Sequence, residues 1–158
     1  MIILVAVGEP SDRQPTLTRA AELAVASQAA LVVLHVRERH FARGVVWDEP
    51  APADAAELLN ESTYELRRRN VACRGVVCLA PAGHVAEAIV GAAMDLPADL
   101  IIVGRSPGWV WARLMTASIS QRVIRLAPMP VLVVPKTRAM LALSGCSTET
   151  SGCQSQRK

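Results

Sequence analysis

Two glycines, Gly8 and Gly104, each stand directly after a strand-like run, Ile2–Val7 and Asp99–Val103. A glycine at a strand end lets backbone N–H groups approach a bound group that a Cβ would hold off. Residues 105–116 contain Trp109 and Trp111, two of the three tryptophans, with Arg105 and Arg113 flanking them. Flat rings beside cations suit a lid that stacks on or clamps an anionic ligand. Indoles that plug an empty crevice or pack at a subunit contact are the competing reading. Other reactive types do not assemble. His35, His40 and His84 have no metal-ligand spacing, and His35 lies within a strand as a packed core histidine. Neither a Gly-x-Ser-x-Gly elbow nor a Gly-Lys-Ser/Thr phosphate loop occurs, so the expectation is a protein that is not an enzyme and holds no metal.

The elements that must position these residues follow from periodicity. Ile2–Val7 and Leu31–Val36 read as strands buried on both faces, Val71–Leu79 as a weaker strand interrupted by Arg74 and Gly75. Asp99–Val103 and Val131–Val134 complete a set of five. Between them, after the turn Glu9-Pro10-Ser11-Asp12, Leu17, Ala20, Ala21, Ala24 and Val25 form one helical stripe. Ala55, Leu58, Leu59, Ser62 and Leu66 form another, with Asp54 as its cap. Val85, Ala88, Ile89, Ala92, Ala93 and Leu96 form a third. A last helix over 115–126, with Ile119, Val123 and Leu126 on one side, must stop at Ala127-Pro128-Met129-Pro130. Residues 37–53 read as a mobile connection. Alternating strands and helices specify right-handed crossovers and a parallel sheet with helices on both faces. Ligands of such sheets bind outside the carboxyl ends of the strands, where the winding direction switches. Gly8 and Gly104 are the natural floor of that crevice.

Bulk properties narrow the function classes. A chain of 158 residues is one domain by length, and with 51% hydrophobic but 3% aromatic residues its core is aliphatic. Lys136, Arg138, Arg157 and Lys158 against Glu149 account for the whole net charge of +3, so residues 1–135 are balanced. Nucleic-acid binding needs a concentrated basic face, and the Arg67-Arg68-Arg69 run reads instead as the solvated end of a helix. No apolar run approaches the ~20 residues of a membrane span, and Met1-Ile2-Ile3-Leu4 opens without a targeting pattern, so a cytoplasmic location is expected. Cys73 and Cys78 are five apart in a strand and point to opposite faces, while Cys146 and Cys153 lie in a polar tail without histidines; all four are expected as free thiols.

Together these stretches resemble the universal stress protein family over residues 2–135. The matching segments are Ile3-Leu4-Val5-Ala6-Val7, Leu34-His35-Val36, the run from Ala98 to Gly104, Ser118 to Arg125, and Ala127-Pro128-Met129-Pro130 followed by Val131 to Val134. The resemblance implies a domain over 1–135 with the adenine-nucleotide alpha-hydrolase-like doubly wound fold, a five-stranded parallel sheet of order 3-2-1-4-5, and leaves 136–158 as a disordered polar tail. It also implies a homodimer through Val131, Leu132, Val133 and Val134, an edge that needs covering.

ATP-binding members of that family carry Gly-x-x-Gly, nine residues, then Gly-Ser/Thr after the fourth strand, where glycine N–H groups and a hydroxyl meet phosphate. Here the segment reads Gly104-Arg105-Ser106-Pro107, nine residues, then Ala117-Ser118. The first glycine and the serine are kept. Pro107 has no N–H to donate, Ala117 carries a Cβ, and Gly108 fits only with the spacing shifted by one. The aspartate usual after the first strand is replaced by Gly8. A nucleotide crevice would therefore comprise Gly8, Val36, Gly104, Arg105, Ser106, Gly108, Ala117 and Ser118. The expected function is a homodimeric stress-response factor, regulatory or protective, that works with a protein partner, touches neither nucleic acid nor membrane, and does not depend on ATP. The alternative is an ATP-binding switch using the same crevice.

Overall fold

The computed structural model describes residues 1–8, 10–105 and 118–135. The continuous apolar runs form strands β1 (Ile2–Ala6), β2 (Ala30–Ala42), β4 (Cys73–Pro81), β5 (Leu100–Gly104) and β6 (Val131–Val134). β1 pairs in parallel with β2 and β5, β2 with β4, and β5 with β6. The five parallel strands thus lie in the order β4-β2-β1-β5-β6, as expected. A sixth, β3 (Val45–Glu49), is antiparallel to the end of β2.

Alternation divides the core between two faces. Ile3, Val5, Leu31, Val33 and Ile102 pack under α1 (Pro10–Ser27) and α2 (Pro52–Arg68), against Leu17, Ala20, Leu59 and Leu66. Leu4, Leu34, Ile101 and Val103 pack under α3 (Val85–Asp95) and α4 (Ile119–Leu126), against Ile89, Ala93 and Val123. Cys73 joins the first cluster and Cys78 the second, both as free thiols. Burial pushes both thiols above the ordinary range, which keeps them protonated and unreactive.

Several expectations need correction. Residues 37–53 are not a mobile connection. β2 runs on through Arg37–Ala42, turns at Arg43 and Gly44, and returns as β3 before α2 begins. Arg43 (φ 51°) and Gly44 (φ 79°) are both left-handed, which is the two-residue hairpin turn that matches strand twist. α1 starts at Pro10 rather than after Asp12. Its buried stripe leans towards Thr16, which leaves Val25 on the rim at 61% exposure. α2 starts with Pro52 after Ala51, so Asp54 lies in its first turn and caps nothing with its side chain. β4 is shifted two residues onward from Val71–Leu79. In α4 the buried positions are Ser120 and Val123, while Ile119 and Leu126 are exposed. Arg67 and Arg68 do form the basic last turn of α2, and Arg69 pairs with Glu65 at 2.8 Å. The polar tail from Lys136, with Cys146 and Cys153, lies outside the described residues.

Leu4→Ala should cost about 2–5 kcal/mol, since Leu4 is fully buried on the central strand, whereas Val25→Ala should stay within about 0.5 kcal/mol. Urea unfolding of the two variants checks this; equal losses would contradict the placement.

Candidate functional site

The strands end unevenly, and that creates a cleft. β1 pairs with β2 as far as Ala6 opposite Leu34, after which Val7 N–H donates to Leu34 O (2.9 Å) and the chain leaves the sheet at Gly8. β2 runs on to Ala42. At Glu38 and Arg39 it pairs with β4 and β3 at once, so those two occupy its opposite edges. β3 therefore takes the edge that β1 uses lower down, and the β2–β3 hairpin stands beyond the carboxyl end of β1. The space between this hairpin and the ends of β1 and β5 is a cleft of about 560 Å³, within the range of small-molecule sites. Gly8 and Gly104 line its floor, and Leu34, Val36, Leu58, Ile89 and Ile119 supply apolar walls. Its polar groups are Arg13 and Thr16 from α1, His35, Glu38 and His40 from β2, and Glu49 after the turn.

The hairpin sorts its charges by face. Cross-strand neighbours share a face, so Glu38 lies with Glu49 and His40 with Trp47, while Arg39 lies with Asp48 on the other side. Arg39 holds Asp48 with two hydrogen bonds (2.8 and 3.0 Å), and Arg37 approaches the same carboxylate at 3.7 Å. The Arg39 hydrogen bond holds the Asp48 carboxyl below the usual carboxylate range, with the charges of Arg39 and Arg37 adding to it. Arg37 also donates to Pro50 O at 2.8 Å, closing the base of the hairpin. On the cleft face the rings of His40 and Trp47 stack with centroids 5.3 Å apart. Glu38 accepts from Gly83 N–H at 2.8 Å, and Gly83 O in turn accepts from Arg122 of α4 at 2.6 Å. Arg122 also pairs with Glu87 of α3, whose carboxyl is lowered first by its own backbone N–H and then by Arg122. The hairpin is thereby tied to both helices on that side.

His35 is buried, at 6% exposure, as the sequence suggested. Its Nδ1 lies 3.0 Å from Val7 O. A carbonyl only accepts, so Nδ1 carries a proton, and in the neutral ring Nε2 is the acceptor. Among the described residues that Nε2 has no hydrogen-bond partner.

Of the residues the sequence singled out, Gly8, Val36 and Gly104 are brought together in the cleft. Arg105 is exposed, and its N–H continues the ladder to Val134 O at 2.8 Å. Ser118 caps α4: its Oγ accepts from Gln121 N–H (3.4 Å) and lies 3.1 Å from Ser120 Oγ. Ser106, Pro107, Gly108, Trp109, Trp111, Arg113 and Ala117 lie outside the described residues. Sequence reasoning missed Arg13, Glu38, His40 and Glu49. The signal for the last three was an Arg-Gly pair between His-Phe-Ala and Val-Val-Trp, a hairpin pattern. Among the described residues no group of three or more His, Cys, Asp and Glu is placed to hold a metal ion, and no helix is long and apolar enough to cross a membrane.

Comparison with known proteins adds the relatives. The model of the universal stress protein family matches residues 1–135. A family member from Burkholderia pseudomallei is 29% identical, with 85% of this chain and 95% of that chain covered and a TM-score of 0.66. A universal stress protein in complex with cAMP is 22% identical over 87% of this chain and 98% of its own, with a TM-score of 0.67. One from Archaeoglobus fulgidus in complex with dAMP is 24% identical over 85% and 97%, with a TM-score of 0.65. No curated protein matches the chain.

Because the folded-state pKa of Asp48 is depressed, its contribution to the hairpin is complete above the ordinary carboxylate range and is lost as pH falls through the lowered value. At neutral pH, Asp48→Asn should speed amide exchange across residues 38–49 and leave β1 and β5 protected. Unchanged exchange in the hairpin would contradict the role given to this pair.

Proposed function

This chain belongs to the universal stress protein family, and we propose that it is a homodimeric stress-response regulator whose cleft holds an adenine mononucleotide and whose action does not depend on ATP. The observation that carries this reading is the open cleft at the switch between β1 and β5, with Gly8 and Gly104 on its floor. Proteins of the same fold hold cAMP and dAMP, each with a single phosphate, which supports a mononucleotide as occupant. Val36 and the other apolar walls suit a planar base. Gly8, Gly104, Arg105, Ser106, Gly108, Ala117 and Ser118 are the residues proposed to bound the phosphate side. Pro107 and Ala117 weaken the cradle that a triphosphate needs, and the reading includes no catalysis. The ATP-binding switch is the second reading, favoured by the retained Gly104 and Ser118.

For the dimer, β6 pairs with β5 alone among the described strands, and the other edge of Val131–Val134 is the one proposed to meet a second copy. Its regulatory output is proposed to pass to a protein partner in the cytoplasm.

Thermal unfolding with AMP, cAMP and magnesium-ATP in turn tests the ligand. At a hundredfold excess over Kd, a bound nucleotide adds about 2.7 kcal/mol of stability. Stabilisation by AMP or cAMP supports the mononucleotide reading, stabilisation by ATP alone supports the switch, and none up to millimolar concentration removes both. Light scattering at micromolar protein should give twice the chain mass, and a monomer would remove the dimer.

A further inference from the structure

We propose that the β2–β3 hairpin is the selectivity wall of the cleft, with Glu38 and Glu49 as specificity-determining carboxylates that favour a nucleoside or single-phosphate ligand and exclude polyphosphates. The inference rests on the nucleotide reading above and deepens it.

Glu38 and Glu49 are paired directly opposite each other, on one face, and both line the cleft. Like charges facing each other across an antiparallel pair destabilise it. Arg37 and Arg39 lie on the opposite face of β2, where both contact Asp48, so neither relieves the pair. Among the described residues Glu38 has the Gly83 N–H on one of its oxygens and Glu49 has His40 at 3.9 Å, and neither has a further partner. Two glutamates paired face to face in a cleft wall are a local conflict kept for something other than stability. Across the cleft Arg13 is engaged by Glu61 at 2.9 Å.

A second, independent observation points the same way. His35, also in the cleft wall and nine-tenths buried, has an Nε2 without a hydrogen-bond partner among the described residues. The wall from β2 and the hairpin therefore presents the carboxylate oxygens of Glu38 and Glu49 and, in the neutral ring, the Nε2 acceptor of His35, with His40 beside Glu49. A ligand that matches it brings donors, as the hydroxyls and exocyclic amine of an adenine nucleoside do. Each phosphate beyond the first adds negative charge against the same wall.

The test is calorimetric titration of the full chain with adenosine, AMP, ADP and ATP at low salt and without metal. Affinity should fall with each phosphate after the first, by about tenfold from AMP to ATP, and raised salt should narrow that gap. Glu38→Gln and Glu49→Gln should each reduce the AMP-to-ATP ratio several-fold. Glu49→Gln should also raise Tm without ligand, because it removes the cross-strand repulsion. ATP binding as tightly as AMP, or glutamine variants that leave the ratio or Tm unchanged or lower Tm, would overturn the wall while leaving the nucleotide reading intact. Failure of all four ligands to bind the wild-type chain would remove the nucleotide reading, and the wall with it.

Discussion

β1 ends where β2 does not, and the geometry of the cleft depends on that mismatch. Ile3, Leu4 and Val5 are fully buried, with helices over both faces and β2 and β5 on both edges, so β1 has no surface left for solvent. Its carboxyl end is the one place where the chain can leave. The parallel ladder stops with Val7 N–H on Leu34 O, and Val7 O, which would otherwise be left over, is taken by the His35 side chain. An imidazole on the neighbouring strand thus completes the ladder and fixes the direction in which Gly8 departs. Beyond that point β2 continues without β1 beside it, and the vacated edge is where β3 pairs.

The hairpin that fills this edge is held by polar contacts rather than by a core. Phe41, Val45, Val46 and Trp47 are all exposed, so little apolar burial stabilises its tip. Its rigidity comes from the Arg37 and Arg39 contacts to Asp48 and Pro50, and from the Glu38–Gly83–Arg122 chain that reaches α4. These are partly solvated interactions of modest individual strength, and they depend on charge in a way the aliphatic core does not. The site is therefore built from two materials. A floor of buried strands sets where the cleft is, and a wall of ion pairs sets its chemistry.

That division also explains what could be read from the sequence. Strands buried on both faces must be apolar at every position, so Ile2–Val7, Leu31–Val36 and Asp99–Val103 declare themselves, and with them the sheet order and the crevice. The hairpin carries no such mark. Arg37-Glu38-Arg39-His40 reads as loop by composition, because the strand is formed by pairing and by side-chain contacts that no local pattern contains. Only Arg43-Gly44 announces the turn. The helices show the same limit in a milder form: Val25 and Leu126 fit a helical stripe by spacing, but which way the stripe faces is decided by the sheet beneath it. Glu38 and Glu49 become neighbours through register alone, eleven residues apart in the chain.

In the proposed reading, the polar contacts of the crevice have been redistributed rather than lost. The resemblance places an aspartate after the first strand and glycines after the fourth, which together contact the adenosine on one side and the phosphates on the other. Here Gly8 offers no carboxylate, Pro107 removes a phosphate donor, and Ala117 adds a Cβ where a glycine lets phosphate approach. Acceptors stand instead on the neighbouring strand, in His35 and Glu38, and across the turn in Glu49. Acidic groups on a hairpin directly over the cleft keep recognition of hydroxyls and amines. They also bring negative charge close to where additional phosphates would lie, so the two changes act in the same direction. A crevice with a weakened phosphate cradle and a strengthened carboxylate wall discriminates by charge, and its ligand is chosen as much by what the wall repels as by what the floor holds.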